Sequence, residues 1–366
     1  MKNKIKFRFI VPIWNKNYIK ECFQNTIASL LSRNNLFSLD PKKINIIFCT
    51  RLIDENFIKK QKLFNVLEKH FKLDFIFIDK ILSGKKRRIL HYAFYEGYKS
   101  VKEKKDSCFI NLNSDDIFSD GSIKYIQKYF KIKNFCIFNS PIHCDLKKFH
   151  RISFKYKQNG IIKIPSLDLQ KISLMTMSRF CKNSIFKKNY IRNLNPYYIL
   201  FDFKDYMIKK SILCHPLVFR TQFKITKLKS FMDYAIFPQY VKNGRIIKNL
   251  PTEKFFKITP NNTNKKHYNF TTKKYTSDDY SKFTSAWALN YHTELFKGYE
   301  ILYKNKQIKK ITNKDKKFLK NITRIISKNF LIKNSYINHP HWGTDHNYHD
   351  PRTFKNKIKK FFGINN

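Results

Sequence analysis

Between residues 5 and 142, short apolar runs alternate with stretches of helical periodicity, and this alternation restricts the fold more tightly than any other feature of the chain. "IKFRFIVPI" (5–13) predicts a buried strand that ends near Pro12. "YIKECFQNTIASLLS" (18–32) has apolar positions at Ile19, Cys22, Phe23, Ile27, Leu30 and Leu31, the spacing of one helical face. The two patterns then recur as strand 43–50, helix 55–72, strand 74–81, helix 87–103, strand 107–113, helix 121–132 and strand 135–142. Strands separated by helices imply βαβ crossovers, hence an α/β fold with a mainly parallel sheet. Beyond about residue 150 the regularity fades. There 203–213 predicts a short helix, 214–220 a strand and 280–307 a helix, while 251–279, rich in Asn, Thr and Lys, predicts a long loop. No internal repeat is visible.

The chain has 366 residues, 42% hydrophobic and 16% aromatic, which is enough to bury a sizeable core and excludes a disordered tail. No apolar run approaches the roughly 18 residues that span a bilayer. The N-terminus is basic and then apolar, like a signal peptide. Its apolar part is short, carries Arg8 and lacks a small-residue cleavage site, so it is read as the first strand. Seven cysteines form no Cys-x-x-Cys pair, which predicts buried reduced thiols and a cytoplasmic location. The formal charge of +48 attracts phosphates, nucleic acid and anionic lipid headgroups, although an AT-rich coding sequence also yields many lysines.

In parallel sheets, ligands bind beyond the carboxyl ends of the strands. Three polar segments lie there: Pro12–Trp14–Asn15, Cys49–Thr50–Arg51 and Asn113–Ser114–Asp115–Asp116. With these in place, the first part of the chain resembles the family-2-like GT-A glycosyltransferases, as a divergent bacterial member. "FIVPIWNKNYIKECFQNTIASLL" is similar to that family's opening strand, Pro-x-x-Asn turn and first helix. "NLNSDDIFSDGSI" is similar to its strand end with a DxD-type motif and the helix that follows. "RRILHYAFYEGYKSVK" matches the helix between them. The resemblance covers roughly residues 6–145. It implies a GT-A-type, Rossmann-like sheet flanked by helices, with a less regular C-terminal extension. It also implies a nucleotide-sugar donor held by Pro12, Trp14, Asn15, Thr50, Arg51, Asn113 and Asp115. Asp115 matches the usual metal contact, which predicts Mn²⁺ or Mg²⁺ bridging the diphosphate. Asn113 stands where the family usually has an acid. Asp116 is a second metal ligand, a catalytic carboxylate or a cap of the next turn, and Asp120 is expected to cap the following helix. Strand two ends in "CTRLIDEN", without the family's Asp-rich turn, so the nucleotide base is left open.

Other candidates lie outside these turns. "SGKKRR" (83–88) places Lys86 and Arg87 before a helix, either as phosphate contacts or as ordinary exposed cations, without P-loop spacing. Sugar transfer with inversion needs a carboxylate to deprotonate the acceptor. Asp233, among apolar neighbours, is the first candidate, with Asp202 and Asp205 behind it. "INHPHWGTDHNYHDPR" (337–352) concentrates His339, His341, His346 and His349, either as a plain surface loop or with His341 as a late metal ligand. The basic amphipathic end "RTFKNKIKKFFGI" predicts packing on the domain or a peripheral contact with an anionic membrane, at the inner face of the cell membrane.

The expected organisation is a nucleotide-sugar-binding half (1–150), an acceptor-side half (151–250) and a C-terminal extension of helix and loop (251–366). The expected activity is transfer of a sugar from a nucleotide-diphosphate donor to a glycan, lipid-linked or protein acceptor. Two other classes stay open. One is a GT-A-like binding protein without catalysis. The other is a nucleic-acid-binding protein, disfavoured because the lysines are spread over the chain and no recognition motif is present.

Overall fold

The computed structural model describes residues 5–82, 89–187, 189–195, 197–212, 215–222, 244–247, 250–261, 274–285, 292–304 and 311–328. Four expected strands lie side by side in the main sheet: β1 (Lys6–Pro12), β2 (Ile44–Thr50), β3 (Lys72–Phe77) and β4 (Ser107–Asn111). After β4 the chain makes the short β5 (Ile117–Phe118), then β6 (Phe135–Asn139) and β7 (Ile142–Asp145). A hairpin, β8 (Lys157–Gln158) and β9 (Ile161–Ile162), follows. The remaining strands are β10 (Ile185–Phe186), β11 (Tyr198–Asp202), β12 (Tyr206–Ser211), β13 (His215–Arg220), β14 (Arg245–Ile247), β15 (Lys257–Asn261) and β16 (Glu300–Tyr303).

The main sheet has the order β14-β6-β13-β4-β1-β2-β3. Only β13 runs against its neighbours β4 and β6; every other pairing is parallel. This is a mixed α/β, Rossmann-like sheet flanked by helices, and the alternation predicts its mainly parallel character. Its strands come from both sides of residue 150.

All seven residues of β2 are buried, as expected of a parallel strand covered on both faces. Phe9, Val11, Ile46 and Phe48 face one core, with the first helical segment and the helix Phe64–His70. Ile10, Ile47, Cys49 and Phe109 face a second core under the helix Ile89–Ser100. That helix comes very close at Gly97. A Cβ there would lie 2.6 Å from Ile10 Cγ2 and 2.9 Å from Cys49 Sγ.

Two smaller sheets complete the architecture. One has the order β5-β15-β7 and the other β10-β11-β12-β16. The helix expected at 203–213 is instead the strand β12. Its lysines conceal the strand: Lys209 and Lys210 are both buried, Lys209 by pairing with Glu300 at 2.7 Å. The helix expected over 280–307 is replaced, among the described residues, by helices Ser277–Ser285 and His292–Lys297 and then β16. The loop expected over 251–279 contains β15, whose Lys257 and Pro260 disguise a strand. Six described cysteines are buried, and none of them is in a disulfide among the described residues. Among the described residues no helix is long and apolar enough to cross a membrane.

Candidate functional site at the switch point of the sheet

From β1 the chain adds β2 and β3 on one side, then returns to place β4 on the other. The sheet therefore has a topological switch point between β1 and β4, where open α/β sheets bind ligands. Leu112 N–H donates to Ile10 O at 3.0 Å and closes the two strand ends together. The turns after β1, β2 and β4 all open at this edge.

The first two turns are clasped by a residue outside the predicted set. Asp54 accepts from Asn15 N at 3.0 Å and from Arg51 through both carboxylate oxygens, at 2.5 and 2.9 Å. Burial pushes the Asp54 carboxyl up, but Arg51 and the Asn15 amide outweigh it and hold the group below the usual carboxylate range. Asn15 has φ 74°, uncommon for a residue with a Cβ, and its side chain accepts from Asn17 N. Pro12 ends β1 beside Cys49, Thr50 is fully buried, and Trp14 packs on the second core. Arg51 followed by an acid three positions later was the only sequence signal for this clasp.

The third turn separates the adjacent acids. Asp116 is buried and accepts from Lys257 Nζ at 2.9 Å, Thr259 Oγ1 at 2.9 Å, and both the main-chain and side-chain nitrogens of Asn113 at 3.3 Å. Its oxygens are thus engaged in holding the turn against β15. Asp115 is only half-buried. Burial pushes its carboxyl up to about 7, and the charge of Asp116 adds to the rise. Lys257 and Thr259 have no local sequence signal, lying 141 and 143 positions from Asp116.

The first helix leans on the same turn. It starts at Lys16–Glu21 and widens to a π-helix over Cys22–Ile27. Thr26 Oγ1 there donates to Asn113 O at 2.9 Å. Burial pushes the Cys22 thiol well above its usual range, with the charges of Asp115 and Asp116 adding to the effect. π-Helical turns recur at functional sites because the extra residue re-aims side chains.

Asp120 does not cap the next helix. That role falls to Gly121 at φ 88°, while Asp120 accepts from Asn34 Nδ2 at 2.9 Å. A left-handed residue is needed there, so glycine takes the position and the acid moves one place back. Asp202 pairs with Lys304 at 2.5 Å, at the end of the β11–β12 hairpin away from Ser211. Asp205 lies in that hairpin's turn. The opposite end of β12 lies instead beside the carboxyl end of β6, where Ser211 Oγ is 3.0 Å from Ser140 Oγ. Lys86, Arg87, Asp233, His341 with its histidine-rich segment, and the basic C-terminal end lie outside the described residues. Among the described residues no group of three or more His, Cys, Asp or Glu side chains is placed to hold a metal ion.

No family model matches the chain. No curated protein matches it either. Among solved structures it is similar to the crystal structure of S. aureus TarS, with 16% identity and a TM-score of 0.25 over 36% of this chain. The match spans 21% of that structure's chain, and a likeness of this extent carries no argument about function.

Proposed function

We propose that the protein is a glycosyltransferase that binds a nucleoside-diphosphate sugar at the switch point and transfers the sugar to a hydroxyl acceptor. One observation carries this reading: three polar turns converge at the carboxyl edge of a parallel sheet, with Asp115 accessible beside a turn rigidly held by Asp116, Lys257 and Thr26. Asn15 and Arg51 form the nucleotide side of the opening, with Pro12 and Thr50 buried beneath them. Trp14 supports them from the second core.

A divalent cation fits this donor set in a limited way. Asp116 is engaged by Lys257 and Thr259, so Asp115 is the one carboxylate left, with the side-chain oxygen of Asn113 as a neutral partner. Mg²⁺ or Mn²⁺ commonly takes one or two protein carboxylates and fills its remaining positions with phosphate and water. The cation would neutralise the leaving diphosphate. The chain's own residues do the rest. Asp115 gives up its proton on binding, and Asp116 keeps the turn from shifting toward the cation.

Asn113 and the engagement of Asp116 favour a second reading, a sugar-nucleotide-binding protein without turnover. A thermal-shift panel of UDP-, GDP- and CMP-linked sugars, with and without Mn²⁺, separates the readings when combined with assay of released nucleotide. Stabilisation with release supports transfer. Stabilisation without release, including with glycan and lipid-linked acceptors, supports the binding protein. Absence of any shift overturns both.

A further inference from the structure

The helices Leu146–Ser153 and Ser166–Thr176 lie against β7, β15 and each other. Cys144 Sγ of β7 donates to Ser173 O of the second helix at 3.8 Å. The parallel register sets Cys144 opposite Pro260, whose side of β15 alternates with that of Lys257 and Thr259. Those two residues bind Asp116. The second helix therefore covers the face of the small sheet turned away from the donor turn, and the first helix packs beside it. Phe149, Leu169 and Ile172 on their inner sides belong to the main core. Their outer sides form a surface of a different kind.

Two large apolar side chains stand out on it. Phe154, in the 3₁₀ turn Phe154–Tyr156 that ends the first helix, is 78% exposed, and Met175 of the second helix is 66% exposed. Neither is part of the core. The Tyr156 side chain hydrogen-bonds to Asp168, which sets the Phe154 turn beside the start of the second helix. Met175 follows Asp168 by seven residues, so it lies on the same helical stripe, about 10 Å along the axis. Cations flank both. Residues 146–182 carry nine Lys and Arg, all exposed, against one acid, the half-buried Asp168. The whole chain has 74 against 26, so this segment is short of acids even for so basic a protein. Lys147, Lys148 and Arg151 occupy the outer side of the first helix, Lys155 follows Phe154, and Lys171 lies one turn before Met175.

We propose that this surface docks on an anionic lipid bilayer, with Phe154 and Met175 entering the boundary between headgroups and acyl chains and the flanking cations on the headgroup phosphates. Apolar side chains that would otherwise face water gain by insertion, and lysine and arginine stems reach along them to keep their charges in the headgroup layer. Each cation near an anionic leaflet adds attraction, which fades within a Debye length. The charge selects this occupant over two others. A second copy of the chain would bring the same formal charge of +48 against it. A nucleic-acid backbone would match the cations but offers Met175 no apolar phase.

The docking surface belongs to the folded domain and is separate from the basic C-terminal end. It does not depend on the glycosyltransferase reading. Because the second helix covers the reverse of the sheet that braces Asp116, lipid contact there leaves the donor turn uncovered.

The test is co-sedimentation of the full chain with vesicles of phosphatidylcholine, alone or with about one third phosphatidylglycerol, at about 0.15 M salt. The wild type should bind the anionic vesicles at least about tenfold more tightly than the neutral ones. Phe154→Ser combined with Met175→Gln leaves the charge unchanged and should weaken that binding at least about tenfold. Lys147→Gln, Lys148→Gln and Arg151→Gln together should weaken it by a similar factor and flatten its salt dependence. All these side chains are exposed, so the melting temperature should stay at the wild-type value. A second measurement uses Phe154→Trp. Lipids brominated along the acyl chain should quench its emission beyond the background of the chain's three tryptophans. Wild-type binding by the Phe154→Ser, Met175→Gln variant, no added quenching, or no preference for anionic vesicles overturns the inference. Binding of an oligonucleotide but of no vesicle also overturns it and assigns the surface to nucleic acid. Stabilisation by a nucleotide sugar should be the same in every variant, so failure here leaves the proposed function standing.

Discussion

Lys257 Nζ lies 2.9 Å from Asp116 Oδ2, both side chains are buried, and 141 positions of chain separate them. A buried pair adds little net stability over an apolar isostere, but removing one partner strands the other charge in a medium that cannot solvate it. Lys257→Met is therefore expected to cost about 3–5 kcal/mol. Adding Asp116→Asn to it should recover part of that loss. Urea denaturation of the two single variants and the double variant measures the coupling. A Lys257→Met protein within about 1 kcal/mol of wild type would contradict the burial argument.

Asp115 makes stability depend on pH in the direction opposite to an ordinary salt-bridged acid. Its folded value is about 7, against about 3.9 in an unfolded chain. Below about pH 4 both states hold the proton and no penalty exists. As pH rises from there to 7, the unfolded state releases its proton first and stability falls; above 7 the cost stays constant. Asp115→Asn should therefore be more stable than wild type at pH 8, by on the order of 2 kcal/mol, and equal to it near pH 3.5. Thermal melts across this range provide the check. Under the proposed function, Mn²⁺ with donor should narrow the gap at pH 8.

Gly97 offers a test with a reversed sign. In an ordinary helix interior, Gly→Ala stabilises by about 0.5–1 kcal/mol. Here the new methyl would press on Ile10 Cγ2 and Cys49 Sγ, on the two strands whose turns are proposed to receive the nucleotide. Gly97→Ala is expected to destabilise by about 1–3 kcal/mol. A raised melting temperature would show that the helix can lift off the sheet without cost.

Releasing the clasp between the first two turns should affect binding more selectively. Asp54→Asn loses the ionic bond to Arg51 and weakens the hold on the Asn15 amide, at a cost of about 1–3 kcal/mol at pH 7. Its folded pKa is depressed, so this stabilisation is present above about pH 4 and lost as pH falls through the folded value. The variant should approach wild-type stability in strong acid. Nucleotide-sugar affinity, read by calorimetry at pH 7, should drop without vanishing, because Asp115 is untouched.

The central sheet was legible because β1, β2 and β4 bury both faces and their apolar runs are continuous. The three polar turns at the carboxyl edge were legible for the same reason, since they interrupt such runs. Lys209, Lys210 and Lys257 concealed the rest. Each is a charged residue buried by an acid or a carbonyl supplied from elsewhere in the fold. Local pattern cannot anticipate such partners, so β12 reads as helix and β15 as loop. The same cause hid the division of labour between Asp115 and Asp116, which look alike in "NSDD" and differ only through what β15 brings to one of them. Asp120 failed as a cap for a local reason, the demand for a left-handed residue at Gly121.

The late position of β15 also sets an order of events during synthesis. Asp116 leaves the ribosome 143 residues ahead of Thr259, a lag of roughly 7–30 s at ordinary elongation rates. Throughout that interval β1, β2, β3 and β4 can pair, but the carboxylate beneath the turn has no ammonium to meet it. The emerging half of the sheet must keep this edge open to water until β15 arrives. The part of the molecule proposed to grip the donor is thus sealed by one of the last strands to be made.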